Sequence, residues 1–323
     1  MSTLCGQVYH HTIDKGNANN ESYCWEKNGA VNFNELLISW NSKRPAKGYY
    51  AIYASVHQSG SWSEWMHYAD WGADGQKGDA SNPESGVAKV YQDAVEVLNG
   101  EVGDGFKIKI VANGGANLAN VHALHVNACV VDSIASKQFD ETTKSSFINV
   151  RGISQMALPT PNNNRLCSPT ATSAIVNFLN GNDKLDPIEF ANRSWDGHFD
   201  IFGNWVFNVA EAYNQLNDTK YACWVERLDS FQGVIDSLER GFPVVISIRG
   251  PLAGSALPYE SGHLIAVIGY DHESKMVSCM DPAFNTDSET IVKYELNDLI
   301  EAWARRKNVA YVFTEASQLQ LSN

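Results

Sequence analysis

Residues 153–181 read ISQMALPTPNNNRLCSPTATSAIVNFLNG, a polar loop running into a helical pattern around a single cysteine. Ala171, Ala174, Ile175, Phe178 and Leu179 fall on one face at helical spacing. Pro169 sits in the first turn, where its missing N–H costs nothing, and Gly181 supplies a C-terminal stop. Cys167 therefore stands at the helix start, facing unpaired N–H groups and the positive end of the helix dipole. That setting favours thiolate over thiol and pulls a pKa of ~8.5 toward neutrality. A lone cysteine is more commonly a small buried hydrophobe, and Cys129 and Cys279, inside apolar runs, read that way.

An attacking sulfur needs a base, and the base needs an orienting partner. His263 opens the apolar run HLIAVIGY just after Ser261-Gly262, which places an imidazole at the rim of a sheet. Asp281 follows the next run, MVSCM, and opens a turn with Pro282. If these runs pair as neighbours through the loop YDHESK, the carboxylate and the ring share one edge. An oxyanion donor beyond the cysteine N–H is usually a side-chain amide. Gln155 lies in a loop long enough to fold back toward the sulfur, whereas Asn162, Asn163 and Asn164 beside Pro161 read as a turn.

Outward from this site, the carboxy-terminal half continues with helices over VFNVAEAYNQL and LDSFQGVIDSLERG. Buried strands follow over PVVISI, HLIAVIGY and MVSCM, then a helix over Asn297–Arg305 and a strand NVAYVF. Helices followed by strands suit an α+β domain. The amino-terminal half has period two instead. FNELLISW, GYYAIYASVHQ, SEWMHYADW, VAKVYQDAVEVL, FKIKIVAN and VHALHVNACVV alternate between turn clusters at Asn41-Ser42, Gln58–Gly60, Asp74-Gly75, Asn99-Gly100 and Asn113–Gly115. Such runs describe an all-β sandwich from about Val31 to Asp132. The polar stretch Ser133–Ser146 is the expected linker, giving a multidomain chain with a β-sandwich at 1–135 and a second domain at 147–323. Trp62, Trp65 and Trp71 crowd one hairpin. Two of them are expected in the core, against the competing reading of an aromatic platform for carbohydrate or peptide.

The composition bounds the partners. The 323 residues carry 24 Lys+Arg against 37 Asp+Glu, a formal net charge of −13, which repels nucleic acid and anionic membrane surfaces. No apolar run approaches the ~18 residues of a membrane span. Met1–Asn20 shows neither a basic n-region nor an apolar h-region, so a cytoplasmic location is the default expectation. The 6 cysteines form no CxxC pair and are too scattered for a disulfide scaffold. His122 and His125 are spaced HxxH within a strand pattern, and His10-His11 carry no metal spacing, so no metal or cofactor is expected.

Taken together, ISQ(x)11CSPT (Ile153–Thr170), GNWVFN (Gly203–Asn208), GFPVVISI (Gly241–Ile248), SGHLIAVIGY (Ser261–Tyr270) and DPAF (Asp281–Phe284) resemble a bacterial C39-like cysteine peptidase of the papain-like superfamily. The hairpin GSWSEWMHYADWG more loosely resembles an amino-terminal β-domain such proteins often carry. The resemblance implies a papain-like α+β domain, with Cys167 as nucleophile, His263 as general base and then acid, Asp281 as orienting residue and Gln155 as oxyanion donor. Ser168 stands where the commonest family pattern has glycine, and its hydroxyl is expected to cap the helix or narrow the cleft. The implied family is often exported, but neither a membrane segment nor a GxxxxGK[ST] loop appears, which argues against the exporter role of its namesakes. The expected activity is hydrolysis of a peptide or isopeptide bond through an acyl-enzyme. The competing readings are acyl transfer by the same triad, as in transglutaminase-like enzymes, and a catalytically silent binding module.

Overall fold

The computed structural model describes residues 6–13, 21–81, 86–134 and 144–319. Most of the expected linker, residues 135–143, lies outside the described residues, as does Cys5. The protein is rich in β-structure, with three antiparallel sheets and few helices. Its contacts divide it into two compact units. One takes in the described residues of Met1–Ser133, Trp195–Asn214 and Leu319–Asn323; the other takes in those of Ile134–Ser194 and Gln215–Gln318.

The first unit contains strands β1 (Gly6–Thr12), β2 (Ser22–Phe33), β3 (Glu35–Ser42), β4 (Tyr49–Gln58), β5 (Ser61–Trp62), β6 (Met66–Gly72), β7 (Gln76–Gly78), β8 (Ala88–Tyr91), β9 (Ala94–Val97), β10 (Gly103–Asn113) and β11 (Val121–Cys129). They form one sheet in the order β1-β11-β3-β9-β8 and another in the order β2-β10-β4-β6-β7, with β5 on β4. Side chains of the two sheets meet edge-on, Tyr9 against Phe106 at 5.5 Å and Trp40 against Trp71 at 6.1 Å between ring centroids. Asn99 (φ 60°) and Gly100 (φ 72°) supply the left-handed pair that a tight turn demands.

Several readings of this half change. Strands begin well before Val31: β1 and β2 are partly exposed and interrupted by polar residues, so their alternation is faint in the sequence. Asn41-Ser42 continue β3 rather than turning, because β11 pairs alongside them and both are buried. Of the three hairpin tryptophans, only Trp71 is a core residue. Trp65 is 40% exposed and Trp62 partly so. Cations from β10 reach these outer rings, Lys107 Nζ lying 4.0 Å from the Trp62 centroid and Lys109 Nζ 4.3 Å from that of Trp65. His125 of β11 bonds Asn41 of β3 and His10 of β1, and His11 stacks on Trp25.

The second unit contains β12 (Ser146–Phe147), helices α1 (Cys167–Asn180) and α2 (Pro187–Ser194), and, after the excursion that carries α3 (Trp205–Gln215), β13 (Tyr221–Arg227). α4 (Gln232–Glu239), β14 (Val244–Ile248), β15 (His263–Asp271), β16 (Met276–Met280), β17 (Ile291–Glu295), α5 (Leu296–Ala304) and β18 (Val309–Glu315) complete it. The sheet order is β13-β18-β14-β15-β16-β17, with β12 on β15. α1 packs on β15, and α5 packs on β14. Every residue of α1 from Ser168 to Asn177 is buried, so the helix is enclosed all round rather than on one stripe. Small side chains such as Ala171, Ser173 and Ala174 make that close seating possible. Gly181 closes α1 in the left-handed conformation (φ 65°), its N–H donating to the Asn177 and Phe178 carbonyls. No helix among the described residues is long and apolar enough to cross a membrane.

The excursion Trp195–Asn214 clusters with the first unit. Within that unit, Phe207 of α3 meets Trp40 edge-on at 6.1 Å, and Asp93 accepts from the Trp205 N–H at 3.1 Å. Arg44 pairs with the buried Glu211 at 3.3 Å.

Candidate active site

Cys167 is the first residue of α1, partly exposed, with Leu166 at the N-cap position and no side-chain cap. The His263 ring and the backbone N–H groups of Leu264 and Ser168 are the groups that act on its sulfur. Burial pushes the thiol up, but the His263 hydrogen bond and charge, with the two N–H groups, outweigh it and hold the thiol below its ordinary value. Ser168 neither caps the helix nor borders the thiol with its hydroxyl. It is fully buried and its Oγ lies 2.9 Å from the Tyr311 hydroxyl, because α1 turns that face into the unit's interior.

His263 begins β15 and pairs with Ile248, so its side chain is set by a central strand. Its Nε2 donates to Asp281 Oδ1 at 2.8 Å, which leaves Nδ1 for the sulfur. Burial alone would depress the imidazole. The Asp281 charge and hydrogen bond, followed by the contact with Cys167, reverse this and push it up to about 10. The ring is 5% exposed.

Asp281 follows β16, which pairs with β15 so that Met280 faces Ala266. One step beyond Met280, the carboxylate arrives beside the start of β15. The expected hairpin through residues 270–275 makes this register. Asp281 is fully buried. Oδ1 also accepts from the Ala283 N–H at 3.0 Å, and Oδ2 accepts from the hydroxyls of Tyr259 at 2.7 Å and Tyr294 at 2.6 Å. Burial raises this carboxyl, yet the imidazolium, the Tyr294 hydroxyl and the Ala283 N–H together bring it below the usual carboxylate range. The two tyrosines had no distinguishing signal in the sequence: Tyr259 sits in the irregular run PLAGSALPYES and Tyr294 in the polar strand IVKYE.

Gln155 is brought to the same region. It is 3% exposed, and its N–H donates to the Pro282 carbonyl at 2.9 Å. Its Nε2 donates to the Asn163 carbonyl at 2.9 Å, while Oε1 has no partner among the described residues. The segment is strapped further by the Ser154 N–H on Asp287 Oδ1 at 2.8 Å. Asn163–Arg165 form a short 3-10 turn that leads into α1, as the asparagine run suggested. Cys129, Cys223 and Cys279 are buried in strands, and Cys24 is exposed on β2.

The arrangement is a sulfur, an imidazolium and a carboxylate in one relay, with a buried amide nearby. It sets a thiol held below its ordinary value beside an imidazole pushed up to about 10, the combination that a sulfur nucleophile and a general acid call for. Residues 147–311 match the family model described as the Peptidase_C39 like family. Among solved structures, the chain is similar to xylellain, a cysteine protease from Xylella fastidiosa, at 14% identity and a TM-score of 0.34, covering 57% of this chain and 89% of that one. No curated protein matches.

Proposed function

The chain belongs to the Peptidase_C39 like family, and from that premise we propose that it hydrolyses a peptide or isopeptide bond through an acyl-enzyme on Cys167. Its substrate is a peptide or protein. In this reading the second unit is a papain-like α+β peptidase domain and the first a β-sandwich accessory domain. The observation that supports the proposal is the convergence of Cys167, His263 and Asp281, in which the thiol is held below its ordinary value and the imidazole bonds the carboxylate at 2.8 Å.

The thiolate of Cys167 attacks the scissile carbonyl, and the carbonyl oxygen becomes an oxyanion. The Cys167 N–H and the Gln155 amide receive it. An amide nitrogen has two protons, so Gln155 can keep one on Asn163 and offer the other. His263 then gives its Nδ1 proton to the leaving amine, which departs and leaves a thioester. The neutral ring next takes a proton from water, hydroxide adds to the thioester, and the thiolate is released with the carboxylic product. Asp281 holds the ring throughout by its bond to Nε2.

The test is incubation of the wild-type chain and of Cys167→Ala with a denatured protein and a synthetic peptide library, with new termini read by mass. Wild-type cleavage that vanishes in the variant and after iodoacetamide supports the proposal. Acyl-amine products in place of acids, when an amine is supplied, replace hydrolysis with acyl transfer. No product of either kind overturns catalysis altogether.

A further inference from the structure

The carboxylate of Asp281 is saturated. A carboxylate offers about four lone-pair sites, and four donors occupy them: His263 Nε2, the Ala283 N–H, and the hydroxyls of Tyr259 and Tyr294. The division between the oxygens is uneven in kind. Oδ1 holds the imidazole and one backbone N–H, whereas the partners recorded for Oδ2 are the two phenols. Asp281 is fully buried, so water does not stand in for either hydroxyl. An anionic oxygen stripped of partners in such a place rotates toward other donors or takes up a proton.

We propose that Tyr259 and Tyr294 are positioning residues for the relay: their hydroxyls hold Asp281 ionised and fixed in orientation, and so keep the proton on His263. The inference rests on the proposed nucleophile and base and adds what sustains their charge. A phenol suits the task better than a cation would. An arginine or lysine on Oδ2 would also hold the carboxylate, but its charge would offset the carboxylate's pull on the imidazolium. A neutral hydroxyl stabilises the anion and leaves the full negative charge for the ring.

The way Tyr259 is held bears this out. Its ring lies flat on the His263 ring, centroids 4.1 Å apart and planes 15° apart, so one residue covers the imidazole and grips its carboxylate partner. Its backbone has φ +52°, a left-handed conformation that is uncommon for a bulky side chain and persists only where the surroundings enforce it. The enforcement is visible: the Tyr259 carbonyl accepts the N–H groups of Gly250 and Gly262, each at 3.0 Å, pinching the loop that leads into β15. Tyr294 comes from a different element, β17, whose register places it opposite Val277. Both phenols are pushed well above the ordinary tyrosine range by burial and by the Asp281 charge, so they remain neutral donors wherever the protein is folded. The titratable groups facing the ring and its carboxylate are thus Cys167 from α1, Asp281 after β16, Tyr259 from the loop, Tyr294 from β17, and the buried Cys279 of β16.

The experiment compares the wild-type chain with Tyr259→Phe, Tyr294→Phe and the double variant, which keep the rings and remove only the hydroxyls. Two quantities are followed against pH: the imidazole nitrogen shifts of His263 and the ultraviolet absorbance of the Cys167 thiolate. The midpoint for loss of the imidazolium proton is expected to fall by about one pH unit in the double variant, and by part of that in each single one. The thiolate signal near neutrality should weaken in step. Unshifted midpoints in all three overturn the proposal. So do single variants that unfold while the imidazolium in their remaining folded fraction titrates as in the wild type, because the hydroxyls are then only structural. A wild-type chain with no thiolate absorbance near neutral pH is a separate failure, that of the nucleophile itself.

Discussion

The backbone N–H of Gln155 donates to the carbonyl of Pro282 at 2.9 Å, which ties the loop before Cys167 to the turn after Asp281. One hydrogen bond therefore joins the backbone of the proposed oxyanion donor to the residue that follows the proposed orienting one. It belongs to the main chain, so it does not depend on the Gln155 side chain. Gln155→Ala should accordingly leave the turn in place and lower kcat by about 10²–10³, the usual cost of one oxyanion donor. Steady-state kinetics on a cleaved peptide, together with an unchanged melting midpoint, checks this. An unchanged kcat removes Gln155 from the site.

Cys167 and Cys24 make an internal comparison of two accessible thiols. Burial, offset only in part by Lys107, raises the Cys24 thiol, whereas the His263 contact lowers that of Cys167. Iodoacetamide at pH 6 to 7 should label Cys167 first, with Cys24 following only as pH rises. Peptide mapping after brief exposure reads the order. Cys129, Cys223 and Cys279 are buried and should label only on unfolding.

Cys167 and His263 together set a pH dependence of stability. His263 folds with its value raised to about 10, so its contribution is complete below the unfolded value of about 6.5 and is lost as pH rises toward the folded one. Cys167 is shifted the other way: its contribution is present above the unfolded thiol value of about 8.5 and lost as pH falls. At a pH between about 6.5 and 8.5 where the folded sulfur has given up its proton, that loss offsets the proton held on the ring, so the wild type should show a flatter profile than the ring alone would give. Cys167→Ala breaks the balance. Its stability should fall across that window by up to about 1.4 kcal/mol per pH unit, read from denaturant midpoints, while near pH 6 it stays within about 1 kcal/mol of wild type. Parallel profiles for the two proteins would show that the imidazolium is not held in the folded state.

Gly152 is a packing constraint on the site. A Cβ there would lie 2.3 Å from Thr290 Oγ1 and 2.5 Å from the Asp287 carbonyl. The Thr290 carbonyl in turn accepts the Asp281 N–H at 2.8 Å. Gly152→Ala should destabilise by about 1–3 kcal/mol through overpacking and also lower kcat, because the displaced turn carries Asp281 with it. Denaturant midpoints and kinetics measured on the same sample check the coupling. A stability loss with full activity would separate the turn from the relay.

Much of this was legible in the residues themselves. The helix from Cys167 to its stop at Gly181 was readable because proline and glycine act locally. β14, β15 and β16 were readable because each is a short apolar run between turns. Cys167, His263 and Asp281 were placed by element ends, where a polar residue beside an apolar run has few duties. The tyrosines were not, since a hydroxyl's partner is fixed by register and loop path rather than by neighbours in sequence. The α3 segment was expected in the second domain from its position in the chain. Its apolar face carries no label saying which sheet it covers, and it clusters with the first unit.

That clustering bears on ancestry and engineering alike. The polypeptide leaves the second unit after Ser194 and re-enters it at Gln215, so that unit is not one continuous stretch of sequence. No single cut in the chain separates the two units, and a fragment holding the second alone must leave out residues 195–214.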